Sequence, residues 1–280
     1  MVKIVADTTS GILVSEAQEL GIGYIPQIIN FGEKSFRDDT ELDTSTFLKM
    51  LVASKELPTT SAPSPALYTP IFQQAHDQNE SVLVICPSAL VSGTFRSATV
   101  AAQDFPDNDI RIIDSKSIGG GLASLVLQAS DWAREGRNAD QIETGIVNLV
   151  AREKNYFLVD TLEFLYKGGR IGGAKALFGS VLQVKPILKL QNGQAEPVES
   201  QRTQKKALAR LVEIVTAECP HGSESHLCVM QGDALEKAQW LASTFSEALA
   251  IPNVRIFNLP PAILTHTGPG ILGVSFFLSE

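Results

Sequence analysis

Ser92-Gly93-Thr94 stands between the apolar run that ends at Cys86 and an amphipathic stretch that begins at Thr94. Hydroxyls and backbone N–H groups at such a strand-to-helix junction face the positive end of a helix, which suits an anion. Ser92 could instead be a nucleophile with His266 as its base, which would make the chain a serine-type acyl hydrolase or transferase. Against that reading, the chain has no Gly-x-Ser-x-Gly elbow and only four histidines to choose a base from. His266 itself opens His266-Thr267-Gly268-Pro269-Gly270, where the Gly-Pro-Gly turn pins the imidazole in place.

Two further hydroxyl clusters could contribute donors. Thr59-Thr60-Ser61-Ala62-Pro63-Ser64-Pro65 is a loop stiffened by prolines, with Ser64-Pro65 suited to a helix cap and first turn and Thr60 left for a ligand. Asp7-Thr8-Thr9-Ser10-Gly11 follows the first strand and reads by itself as a helix cap and turn. Two glycine-rich stretches fall short of nucleotide signatures. Lys167-Gly168-Gly169-Arg170 lacks the Walker spacing, and Gly119-Gly120-Gly121 is too little for a dinucleotide site. Cys219, His221, His226 and Cys228 do not have the pair spacing of zinc ligands, so no metal is expected. Asp38-Asp39 reads as a turn after a Phe31–Phe36 hairpin rather than as a magnesium site.

Alternating elements must position these loops. Strand patterns fall at 3–6, 23–31, 81–86 and 109–113, with helical patterns at 16–20, 44–53, 67–76, 94–105, 121–134 and 140–154. Thr44 is the expected cap of the second helix. This alternation predicts a parallel sheet with helices on both faces. Beyond a strand at 156–159 the pattern changes. Asn192-Gly193 predicts a tight hairpin joining strands at 184–190 and 194–200. Helices at 203–218 and 235–249 and strands at 226–230, 254–257 and 272–278 then predict a mixed sheet. We expect an N-terminal domain at 1–160 and a C-terminal domain at 161–280, because 280 residues exceed the roughly 100–200 of one domain.

Composition narrows the function classes. Apolar residues make up 44% and charged residues 19% of the chain, enough apolar material for a large core. A formal net charge of −8 with no basic cluster excludes a nucleic-acid partner. No signal-peptide pattern opens the chain, and no apolar run reaches the roughly 18 residues of a membrane span. A cytoplasmic location is therefore expected.

Taken in order, Asp7-Thr8-Thr9, Thr60-Ser61-x-Pro63-Ser64-Pro65, Ser92-Gly93-Thr94-Phe95-x-Ser97-Ala98, Asp114-Ser115, Lys167-Gly168-Gly169-Arg170-Ile171, Lys185-Pro186-Ile187-Leu188 and His266-Thr267-Gly268-Pro269-Gly270 resemble the DegV family of bacterial fatty-acid-binding proteins. The resemblance runs across essentially the whole chain. It implies a two-domain α/β fold, with a three-layer α/β/α N-terminal domain, a two-layer C-terminal domain and a ligand cleft between them. It also implies that Thr60, Ser92 and His266 hold the carboxylate of a long-chain fatty acid, with no catalytic residue and no cofactor. A separate fatty acid kinase would then make the acyl phosphate for phospholipid synthesis, and membrane contact would be transient, for fatty acid exchange. Ser61, Gly93, Thr94, Arg170, Arg202 and Thr267 are the implied nearby loop or partner contacts. Ala62, Phe95 and Tyr166 depart from the family's common Gln, Tyr and Lys at those places. The Tyr166 change thins the positive surface beside the glycine loop.

Overall fold

The computed structural model describes residues 1–179 and 184–279. Its strands are β1 (Val2–Asp7), β2 (Gly23–Ile25), β3 (Ile28–Phe31), β4 (Lys34–Arg37), β5 (Thr59–Ser61), β6 (Ser81–Cys86) and β7 (Ile110–Asp114). They continue with β8 (Glu153–Leu158), β9 (Lys185–Gln191), β10 (Gln194–Gln201), β11 (Cys228–Gly232), β12 (Arg255–Asn258) and β13 (Ile271–Phe277). The helices are α1 (Val14–Glu19), α2 (Thr44–Ala53), α3 (Thr69–Asp77), α4 (Thr94–Ala102) and α5 (Gly120–Arg134). After them come α6 (Ala139–Arg152), α7 (Glu163–Lys167), α8 (Gln204–Glu218), α9 (Leu235–Leu249) and α10 (Pro261–Thr267).

The expected α/β class holds. One sheet is parallel, in the order β2-β1-β6-β7, and another is mixed, in the order β10-β9-β8-β13-β11-β12. Val5, Val82 and Val84 on one face of the parallel sheet pack on Tyr68, Phe72 and the alanines of α4. The opposite face turns Ile4, Leu83 and Ile85 to Leu122, Leu125, Ile142 and Ile146 of α5 and α6. Strands buried on both faces read as near-continuous apolar runs, and Ser81–Cys86 is such a run. The mixed sheet covers one face with α8 and α9 through Leu211, Val215, Leu241 and Phe245.

Helix α5 fills the space between the two sheets, and three glycines let it in. A Cβ on Gly120 would stand 2.6 Å from Cys228 Sγ, and one on Gly121 would stand 1.9 Å from Glu153 Oε1. Gly119 has φ +64°, and its Cβ would meet Met230 Sδ at 2.7 Å. The glycine triplet is thus an approach surface for β8, β11 and β13.

Several expectations are corrected. The strand anticipated at 23–31 is broken by Pro26, which has no N–H to give a ladder, so β2 stays parallel while β3 leaves for a third, antiparallel sheet, β4-β3-β5. Thr60 lies in β5 rather than in a free loop. The cap of α2 is Asp43, whose carboxylate accepts from Thr46 N at 2.9 Å, and Thr44 is already helical. β8 precedes the expected boundary at 160, yet it pairs with β9 and β13 in the mixed sheet. Tyr156 and Leu158 face α8 and α9 while Phe157 faces α5's side, so this strand needs neighbours on both edges and cover on both faces. Asn192 (φ 51°) and Gly193 (φ 84°) form the expected tight hairpin.

Candidate functional site

β5 presents Thr60 as an edge strand, with Thr60 opposite Ile29 of β3. α10 presents His266 from its last turn, before Gly268 at φ 72° reverses the chain. The two meet. Thr60 Oγ1 and His266 Nε2 lie 2.8 Å apart across 206 positions of sequence. The other ring nitrogen, Nδ1, is buried and has no hydrogen-bond partner among the described residues. Burial, and then the charge of Arg170, push the imidazole pKa down from 6.5 to about 4, so the ring is neutral near pH 7.

Arg170 ties the glycine loop to the turn that carries Ser92. Its Nε donates to Val91 O at 3.1 Å and its guanidinium to Gly168 O at 2.6 Å. Gly168 is pressed on the imidazole so closely that a Cβ there would stand 2.3 Å from His266 Nδ1.

Ser92 precedes α4, whose cap position is Gly93. Its Oγ lies 2.9 Å from Thr94 Oγ1 and accepts from Thr94 N at 3.3 Å. Thr94 in turn donates to Asp7 Oδ2 at 2.8 Å, and Gln27 Nε2 reaches both Asp7 Oδ2 (2.6 Å) and Thr94 Oγ1 (2.8 Å). Asp7 also caps the short helical turn after β1, accepting from Thr9 N at 2.9 Å and from the Thr9 hydroxyl. Burial raises the Asp7 pKa while these hydrogen bonds oppose the rise. Asp38 accepts from Thr8 Oγ1 at 2.7 Å and from Gln27 N at 2.8 Å, and burial pushes its carboxyl up to about 7.

Thr60, Ser92, Arg170 and His266 line one cavity of about 970 Å³, counting its opening to solvent. Much of the remaining wall is apolar, built by Phe157, Leu190 and Met230 of the mixed sheet, by Ile118 before α5, and by Leu165 of α7 and Ile263 of α10. Gly93 and Thr267 also line it, with the Thr267 hydroxyl turned back to Ile263 O at 3.1 Å. Thr94 stands buried behind Ser92.

Two expected neighbours lie elsewhere. Ser61 is exposed on β5 and accepts from Asn30 Nδ2 at 3.0 Å. Arg202 is exposed in a separate surface groove with Asp160, Phe178 and Lys185. Period-two alternation puts Ser61 on the opposite face from Thr60, which explains the first case. Sequence reading missed Gln27 and Asn155, both on the cavity wall. The available signal for Gln27 was one amide inside the apolar run Tyr24–Ile29.

The metal reading gains nothing. Cys86, Cys219 and Cys228 are free and buried, and among the described residues no group of three or more His, Cys, Asp or Glu side chains is placed to hold a metal ion. No described helix is long and apolar enough to cross a membrane.

A DegV domain-containing protein of Streptomyces coelicolor is 34% identical over 275 residues, covering 98% of this chain and 97% of that one. The structure is similar to that of a DegV family protein from Thermus thermophilus, described for its fatty acid binding, with TM-score 0.91, 28% identity and 99% of both chains covered. It is also similar to the fatty acid binding DegV family protein from Streptococcus agalactiae, with TM-score 0.89, 27% identity and 100% and 99% of the two chains covered. The family model described as "Uncharacterised protein, DegV family" matches residues 1–279, and the chain belongs to that family.

Proposed function

We propose that this chain is a non-covalent carrier of a long-chain fatty acid and not an enzyme. The observation that carries the reading is one apolar cavity with the Thr60–His266 pair, Ser92 and Arg170 together on its wall. Burying about fourteen methylenes at roughly 0.8 kcal/mol each gives a gross gain near 11 kcal/mol before ordering costs. A carboxylate buried without donors would be strongly disfavoured, and hydroxyl and imidazole N–H groups supply them. The fatty acid binding of the Thermus and Streptococcus relatives supports the same reading.

The acyl hydrolase alternative finds little in the geometry. Ser92 is paired with Thr94 and His266 Nε2 with Thr60, while among the described residues no carboxylate orients Nδ1. In our reading Ser92 and His266 bind rather than react, and a separate fatty acid kinase acts on the presented carboxylate. Arg170 is our candidate contact near the head group. Arg202 lies outside the cavity in a groove with Phe178, on which Tyr166 stacks at 3.9 Å, and is our candidate contact for the kinase.

Organic extraction and native mass spectrometry of the purified protein test the carrier reading, with one fatty acid per chain expected. Thr60→Ala and Ser92→Ala should each weaken binding about ten- to a hundred-fold, the cost of roughly 1.5–3 kcal/mol for a lost hydrogen bond to a charged group. A protein that carries no fatty acid and binds none added would overturn it. The isolated chain should also turn over neither ATP nor acyl esters. Ester hydrolysis lost in Ser92→Ala would restore the hydrolase.

A further inference from the structure

Ser92 does not face the cavity alone: behind it runs an unbroken hydrogen-bonded line, Ser92–Thr94–Asp7, ending on a buried carboxylate. We infer that Asp7 is a positioning residue that, through Thr94 and Ser92, makes the site take up its fatty acid together with one proton. The inference rests on the carrier reading above, in which Ser92 donates to the ligand.

Asp7 receives four donations, from Thr9 N, the Thr9 hydroxyl, Gln27 Nε2 and Thr94 Oγ1, which is the full complement for an ionised carboxylate. Thr94 has one proton and gives it to Asp7, so Thr94 Oγ1 must accept from Ser92. The Ser92 proton therefore points inward; of its two lone pairs one accepts from Thr94 N and the other is left for the cavity. A second carboxylate arriving there finds an acceptor. If Ser92 simply turned its proton to the ligand, two hydroxyl oxygens 2.9 Å apart would face each other with no proton between them.

One added proton resolves the conflict. A proton from water protonates Asp7. Asp7 then donates to Thr94, Thr94 to Ser92, and Ser92 to the ligand carboxylate. With every hydroxyl reversed, the same proton resides instead on the fatty acid, Ser92 donates to Thr94 and Asp7 stays ionised. Both arrangements leave no group unpaired, and no covalent bond other than O–H bonds forms or breaks. Gln27 can serve either, since its amide reaches both Asp7 Oδ2 and Thr94 Oγ1.

Other titratable groups border this line. Asp38 faces it through Thr8 and the Gln27 backbone, Tyr24 through Ser10, and Tyr68 and Cys86 from the packed core. His266 and Arg170 face the ligand from α10 and from the glycine loop. Among them only Asp38 titrates near neutrality, at about 7, so it needs its own control.

The test is calorimetry of palmitate binding in buffers of different ionisation enthalpy, with affinity measured against pH. Wild type should take up one proton, and its affinity should fall as pH rises, by up to about tenfold per pH unit. Asp7→Asn supplies an amide donor to Thr94 with no proton from water, so it should bind with no uptake and a flat profile. Asp38→Asn should keep the uptake. Thr94→Val, which breaks the line, should weaken binding, and Thr94→Ser should restore both affinity and uptake. If Asp7→Asn does not fold, the Thr94 pair alone decides the matter. Wild-type binding without proton uptake, or uptake unchanged in Asp7→Asn or in Thr94→Val, overturns the inference and leaves the carrier reading standing. A wild type that binds no palmitate overturns the carrier reading itself.

Discussion

At His266, burial and the neighbouring Arg170 charge both favour the neutral ring. The consequence for stability has a definite sign. Below its unfolded value of 6.5 the unfolded chain takes a proton at this ring that the folded chain refuses until about 4. Folding stability therefore drops as pH falls through that window, by up to about 3 kcal/mol for this one group. Asp38 has the opposite sign. Its folded carboxyl titrates near 7, so its contribution is present at low pH and is lost as pH rises from 3.8 towards 7. Urea unfolding at several pH values should show a shallower acid loss in His266→Gln than in wild type, and Asp38→Asn should remove the opposing slope. Equal acid loss in wild type and His266→Gln would mean that the ring is not held neutral. At this scale the sequence reveals the residue types well. Thr60, Ser92 and His266 stand out by their loops, and the structure puts all three on one cavity. The partners are less legible. Nothing local to Asp7 or Gln27 announces that a strand end, a broken strand and a helix start will converge on Thr94, because that convergence is made by long-range packing.

Among the elements, long periodic segments are the ones that sequence reveals. α9 and β6 have the anticipated bounds, since fifteen residues of helical period or an unbroken apolar run leave little ambiguity. α10 was hidden. Gly268-Pro269-Gly270 reads as a turn, and a helix buried nearly all round has no polar face to set its period. β5 was hidden because it has three hydroxyl residues where an apolar strand would be sought. These short elements carry the site, so a small displacement of one is felt by the ligand. Gly168, after α7, is the sharpest case, since an added Cβ would run into the imidazole of His266. Gly168→Ala should lower fatty acid affinity about tenfold or more by displacing that ring, with a loss of stability of roughly 1–3 kcal/mol for the overpacking. Unchanged affinity alongside a lowered melting temperature would show that the ring has room to move.

Across the whole molecule the cavity has no owner in either half of the chain. Its walls draw on residues from Thr9 to Gly273, and the core beneath it joins Ile4 and Ile85 to Met230, Leu264 and Phe277. A ligand held there touches the mixed sheet, Thr60 of the small antiparallel sheet, and the loops before α4 and α5. Saturating fatty acid should raise the melting temperature of one cooperative transition, by the equivalent of about 2.7 kcal/mol at a hundred times its dissociation constant. Calorimetry that shows two transitions, only one of them responding to ligand, would assign the cavity to one half.

The last strand, β13, is not at the edge of its sheet. It lies between β8 and β11, made early and late respectively, and Ile271 to Phe277 are all buried. The middle strand of this sheet is therefore made after both of its neighbours. Until β13 is available, β8 and β11 have open, apolar edges and nothing between them. The mixed sheet cannot close before Ile271–Phe277 reaches it. A stalled chain ending at Pro269 should be protease-sensitive from β8 onward, whereas the parallel sheet, complete by Asp114, should already resist.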